Sequence, residues 1–141
     1  MSAFLLDTNV LSETARRTPD SRVMAWIRTL PSLQFPSVVL YELASGVARL
    51  PAGKRRRFLD AWLAELLASD CTILSLDREA ALASVALEVT ARLQRRTVEH
   101  RDLLILGTAK ACGMGVATRN IGHFRGLGVP VYDPFEDAFL L

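Results

Sequence analysis

Three acidic residues, Asp7, Glu42 and Asp102, stand far apart in the chain at places where helices begin or strands end. Asp7 closes the apolar run Phe4-Leu5-Leu6 and is followed by Thr8 and Asn9. Glu42 falls in the second turn of an apolar-periodic stretch that starts at Ser37, and Asp102 precedes the run Leu103 to Leu106. Three carboxylates brought together repel, and a hard divalent cation relieves that repulsion while preferring oxygen ligands. Mg²⁺ or Mn²⁺ is therefore the natural occupant, and the chemistry such a site suits is hydrolysis of a phosphodiester by a metal-activated water. Thr8 and Asn9 can hydrogen-bond a neighbouring carboxylate and fix its orientation. Taken singly, each acid also has an ordinary structural role, as a helix cap or a solvated side chain. Glu99 offers a substitute acid if it shares the helix face of Asp102, although a solvated first-turn glutamate is the simpler description.

For the acids to meet, the elements between them must return to one edge of a sheet. Leu33 to Phe35, Thr72 to Leu74 and Val116-Ala117 read as further short buried strands. Helical spacing marks a segment from Asp20 to before Pro31, one capped by Ser37 and ending before Pro51, and one from Lys54 to Ser69-Asp70. Asp77 caps a long helix to about Arg96, and a last helix runs from Asp102 to Cys112, closed by Gly113. Val129 and Val131 flank Pro130, which confines that piece to an edge strand or a strand start, and Asp133-Pro134-Phe135 is a turn. Short apolar strands alternating with helices give an α/β fold, a three-layer α/β/α sandwich around a central parallel sheet. In such sheets the ligand crevice lies beyond the carboxyl ends of the strands, where Asp7 emerges.

The chain of 141 residues fits one domain, spanning residues 1–141. Its net charge of +2 does not give the basic field of a general nucleic-acid coating protein, but the positive side is almost all arginine, which suits phosphate. Cys71 and Cys112 lack metal-ligand spacing, and His100 and His123 lack a nucleophile and acid to work with. The N-terminus shows no secretory pattern and no run is long enough to span a bilayer, so a cytoplasmic protein without membrane contact is expected. No Gly-x-Gly-x-x-Gly follows the first strand, which excludes a dinucleotide module. Asn9 stands where an aspartyl-phosphate phosphatase would carry its second acid, which disfavours that chemistry.

Leu5-Leu6-Asp7-Thr8-Asn9-Val10-Leu11-Ser12, Tyr41-Glu42-Leu43 with Gly46, Arg101-Asp102-Leu103-Leu104-Ile105, and Thr118-Arg119-Asn120 with Phe124 together resemble PIN-domain ribonucleases of the VapC toxin type, closest to the FitB-like branch. The resemblance implies a PIN-like fold and a Mg²⁺- or Mn²⁺-dependent endoribonuclease toxin of a toxin-antitoxin pair. It also implies a homodimer inhibited by a VapB-type antitoxin lying across the active groove. Asp7, Glu42 and Asp102 carry over as the catalytic and metal-binding acids. Thr118 and Asn120 fall where such proteins often add a fourth acid, and an amide there brings no charge, so a second metal would bind more weakly. The alternative is a chain that keeps the fold but only binds RNA or antitoxin.

Arg101 and Arg119 adjoin the acids and would either clamp a phosphate or hold the acids by ion pairs. The run Lys54-Arg55-Arg56-Arg57 could follow an RNA backbone, but a solvated helix start is the commoner role. Trp26, Phe58 and Trp62 sit at apolar helical positions and read as core or interface. Phe139-Leu140-Leu141 would dock a partner or fray.

Overall fold

In the computed structural model, which describes residues 3–140, β1 (Phe4–Leu6) is the buried strand expected, with Leu5 and Leu6 fully enclosed. It pairs in parallel with β4 (Gly115–Ala117), which pairs in parallel with β5 (Val131–Asp133). β2 (Leu33–Pro36) and β3 (Cys71–Leu74) form a second parallel pair, with β2 packed alongside β1 but outside its ladder. From β1 the chain thus builds sheet in both directions, which leaves a crevice beyond the carboxyl ends of β1 and β4.

Pro130 directly precedes the first residue of β5, the strand-start placement allowed for it, and β5 is not an edge strand. The turn after it returns the chain as β6 (Ala138–Leu140), which pairs antiparallel with β5 and takes the edge instead. The sequence offered no alternation long enough to announce a three-residue strand there. Phe139 consequently packs edge-on against Phe4, with ring centroids 6.2 Å apart, rather than hanging free; Leu141 lies outside the described residues.

The helices are α1 (Thr8–Leu11), α2 (Ser21–Arg28), α3 (Ser37–Ala48), α4 (Lys54–Ala68), α5 (Arg78–Leu93), α6 (His100–Ala111) and α7 (Ile121–Phe124). With the mostly parallel sheet they make the α/β sandwich expected. Asp20 caps α2 by accepting from the amides of Arg22 and Val23, and Asp77 caps α5 through Ala80. Among the longer helices, the limits of α3, α5 and α6 differ from the sequence reading. Ser37 is the first residue of α3 rather than its cap, because Pro36 holds the cap position in extended backbone; the Ser37 hydroxyl accepts instead from the Leu76 amide at 3.2 Å. α5 stops at Leu93, followed by Arg95 at φ +56°, so Arg96 is released to bind the carbonyls of Arg125 and His123. α6 starts two residues early, which puts Asp102 inside its first turn rather than at its cap. The short α1 and α7 carried too little apolar periodicity to be expected.

Leu5, Leu6, Val116, Ile105, Leu106 and Phe35 form the centre of the core. Trp26 joins it from α2, its ring tilted against that of Tyr132 with centroids 5.2 Å apart. Trp62 also packs against the core and donates its indole N–H to Thr14 at 3.0 Å, but Phe58 is largely exposed.

α6 approaches α5 so closely that a Cβ at Gly107 would lie 1.9 Å from Ser84 Oγ and 2.7 Å from the Ser84 backbone nitrogen. Alanine has the better helix propensity, by up to about 1 kcal/mol, but overpacking costs about 1–3 kcal/mol. Gly107→Ala should therefore lower the unfolding midpoint in urea, and an unchanged or raised midpoint would show that the two helices can separate freely.

Candidate active site

Asp7 leaves the end of β1 with its amide bound to the Ala117 carbonyl at 2.9 Å, which extends the β1–β4 ladder by one residue and turns the side chain into the crevice. The carboxylate is completely buried. Its Oδ1 accepts from the Thr8 amide at 2.7 Å and from Arg101 Nη2 at 2.5 Å; its Oδ2 accepts from the Thr118 hydroxyl at 2.7 Å and from Asn9 Nδ2 at 3.4 Å. A buried carboxylate needs this many donors, since each unsatisfied lone pair would carry a desolvation cost.

Glu42 reaches the same crevice from the second turn of α3, and Asp102 from the first turn of α6. Arg101 lies between them. Its Nη1 donates to Asp102 Oδ1 at 2.5 Å, and its Nε stands 2.6 Å from Glu42 Oε2, at ion-pair distance but without the alignment of a hydrogen bond. Glu42 Oε1 accepts from the Thr8 hydroxyl at 2.5 Å. One guanidinium thus touches all three acids, and the cluster as a whole carries excess negative charge.

Burial works against the charge on Arg101, but the Asp7 and Glu42 carboxylates outweigh it and hold the guanidinium well above its ordinary range. Burial pushes the Asp102 carboxyl up, against the opposing pull of Arg101. The imidazole of His123, from α7, stands 4.0 Å from Asp102 Oδ2.

The donor set is all oxygen and anionic, which fits a hard divalent cation. Its present spacing fits a larger, flatter one: among the described residues no three acidic, histidine or cysteine side chains come together at metal-ligand distances, and the Arg101 guanidinium fills the space between the carboxylates. Asp7, Glu42 and Asp102 would hold such a cation once that side chain moved aside.

The supporting residues divide. Asn9 and Thr118 are drawn in: Asn9 bridges Asp7, Thr118 and the Arg119 amide, and the Thr118 hydroxyl accepts from the Asn120 amide at 3.1 Å. Asn120 contributes that amide while its side chain faces solvent. Glu99 is exposed at the start of α6 and outside the cluster, because its backbone is extended and precedes the first helical turn. The Arg119 guanidinium lies over the Phe135 ring at 4.5 Å. Arg101 as the common partner of all three acids was the feature least evident beforehand, although an arginine beside one of three acids that must be buried together was the available signal. Nothing in the sequence tied His123 to Asp102.

Residues 4–127 match the PIN domain family model. The chain belongs to the PIN-domain family. Within it, three relatives align almost end to end. The plasmid stability protein StbB of Pseudomonas syringae pv. tomato is 37% identical over 94% of this chain and 98% of its own. The VapC ribonuclease Y4jK of Sinorhizobium fredii is 35% identical over 95% and 99%, and the toxin FitB of Neisseria gonorrhoeae is 33% identical over 94% and 99%. The crystal structure of FitAcB from Neisseria gonorrhoeae superposes with a TM-score of 0.79 at 31% identity, covering 94% of this chain and 98% of that one. This PIN domain is thus similar to VapC-type, FitB-like members of the family.

Thr118→Val keeps the shape but removes a buried donor to Asp7 and an acceptor for Asn9 and the Asn120 amide. It should cost about 1–3 kcal/mol of stability in urea unfolding; a neutral result would mean that the network around Asp7 repairs itself.

Proposed function

We propose that this single PIN domain is a Mg²⁺- or Mn²⁺-dependent endoribonuclease toxin of a toxin-antitoxin pair. The observation that carries the reading is the convergence of Asp7, Glu42 and Asp102, from three separate elements, on one cation position beyond the ends of β1 and β4. A divalent ion held there would supply Lewis acidity toward a phosphoryl oxygen and lower the pKa of a bound water, so that hydroxide is available as nucleophile near neutral pH. The three acids hold the charge and geometry of that position. Thr8 and Asn9 fix the carboxylates of Glu42 and Asp7, and Thr118 fixes Asp7 from the opposite strand. Asn120 adds no charge, so a second metal beside the first would bind more weakly.

An open groove of about 1150 Å³ starts at Thr8 and Glu42 and runs between α3 and α4. Its floor is apolar, with Leu43, Val47 and Trp62, and Arg16, Arg17, Lys54 and Arg55 stand along it. That combination suits an RNA backbone against the basic side chains, or the antitoxin segment that blocks it. The basic run of α4 is divided in use: Lys54 and Arg55 line the groove, whereas Arg56 binds Asp60 and the carbonyls of Ala48 and Leu50. On α5, Leu82, Val85, Val89 and Leu93 leave an exposed apolar stripe at helical spacing, which suits pairing with a second copy as a homodimer. Among the described residues no helix is long and apolar enough to cross a membrane, and we infer action in the cytoplasm, where RNA and antitoxin are met.

One observation favours the alternative of a chain that binds RNA or antitoxin without cutting: the guanidinium that occupies the acidic cluster. The readings part in one assay. Purified chain, freed of antitoxin, should cleave single-stranded RNA with Mg²⁺ or Mn²⁺ and stop with chelator. Asp7→Asn should lower the rate by about 100-fold or more at unchanged circular dichroism. Cleavage that survives both chelator and Asp7→Asn would sink the metal-dependent reading of this site, and RNA binding without cleavage at any metal concentration would establish the alternative.

A separate check addresses the surface of α5. Val85→Glu with Val89→Glu should turn a dimer into a monomer in sedimentation velocity at micromolar concentration, and a persisting dimer would place the contact elsewhere.

A further inference from the structure

We propose that Arg101 is a built-in competitor for the divalent cation: its guanidinium holds the three carboxylates in the cation-free chain, and a metal ion binds only as that guanidinium leaves. The inference rests on the reading of the acidic cluster as a metal site. Three features of the cluster support it.

The first is occupancy. Arg101 presents a different nitrogen to each acid, Nη2 to Asp7, Nη1 to Asp102 and Nε to Glu42, so every carboxylate is committed to it. The second is shape. A guanidinium spreads its partners around a flat disc, whereas Mg²⁺ draws oxygens to about 2.1 Å from a single point. A guanidinium lying between the three carboxylates and an ion drawn to one point among them compete for the same space. The third is the ease of departure. The Arg101 side chain retains 28% exposure and Glu42 33%, while Asp7 has none and Asp102 has 6%, so the arginine lies with Glu42 on the solvent side of the cluster. Its buried Nε–H has no aligned acceptor, an arrangement that leaves one donor poorly served and is relieved on release into water.

Competition of this kind lowers the apparent metal affinity by the fraction of time the guanidinium is out. It also means that the acids remain paired, and Asp7 remains tolerable in the interior, when no metal is bound.

Calorimetric titration with MnCl₂ of the wild-type chain, Arg101→Gln and Asp7→Asn tests the proposal. Arg101→Gln should bind Mn²⁺ at least about tenfold more tightly than wild type, and Asp7→Asn should bind it far more weakly. Equal or weaker binding by Arg101→Gln, with Asp7→Asn impaired, overturns the competition and leaves the metal site standing. Wild-type affinity in Asp7→Asn overturns the metal site itself. A second measurement needs no folded variant: in the unaltered chain, the Arg101 Nε–H followed by NMR should be protected from solvent exchange without Mg²⁺ and lose protection as Mg²⁺ saturates. Protection that persists at saturation overturns the proposal.

Discussion

A carboxylate withdrawn completely from water needs a cation and a full set of hydrogen bonds, and Asp7 obtains both through its contact with Arg101 and its neighbours. Much of the local architecture follows from that requirement. β1 must end where β4 ends, so that Thr118 can donate to Asp7; α6 must bring its first turn to the same place, so that Arg101 can reach it. Once the guanidinium is there, Glu42 and Asp102 have a partner that offsets their mutual repulsion. The cluster is therefore a coupled unit, in which removing one member exposes the charge of the others.

That unit explains how a chain with little net charge concentrates negative potential at one end of its sheet. Arg101 sits in the cluster itself, and four further basic residues flank it. Arg16, Arg17, Lys54 and Arg55 stand along the adjoining groove, a disposition that suits a polyanion whose one phosphate must reach the acids.

β1 to β5 and most limits of the five longer helices could be read from the chain because they are set locally, by apolar runs such as Phe4-Leu5-Leu6 and caps such as Asp20 and Asp77. Asp7 could be singled out because strand ends in parallel sheets are where ligands sit. What escaped was set by contacts distant in sequence. Ser37 looks like a cap until Leu76 claims its hydroxyl, and Val131 looks like an edge until the turn at Asp133 brings β6 back. Glu99 and Asp102 seem interchangeable by spacing, yet the helix begins between them, leaving one exposed and the other buried. Ion pairing was one of two roles readable for Arg101, but its reach to all three acids was hidden for the same reason: the partners lie at positions 7, 42 and 102 and meet only in the folded chain.

The central claim is that the three acids form one cation site served alternately by an arginine and a divalent ion. Anomalous diffraction from crystals of the chain soaked in Mn²⁺ tests it most directly. The account predicts a single anomalous peak within coordination distance of Asp7, Glu42 and Asp102, with the Arg101 guanidinium turned out of the cluster. A Mn²⁺ peak elsewhere, or one beside an Arg101 still bound to all three carboxylates, would contradict it.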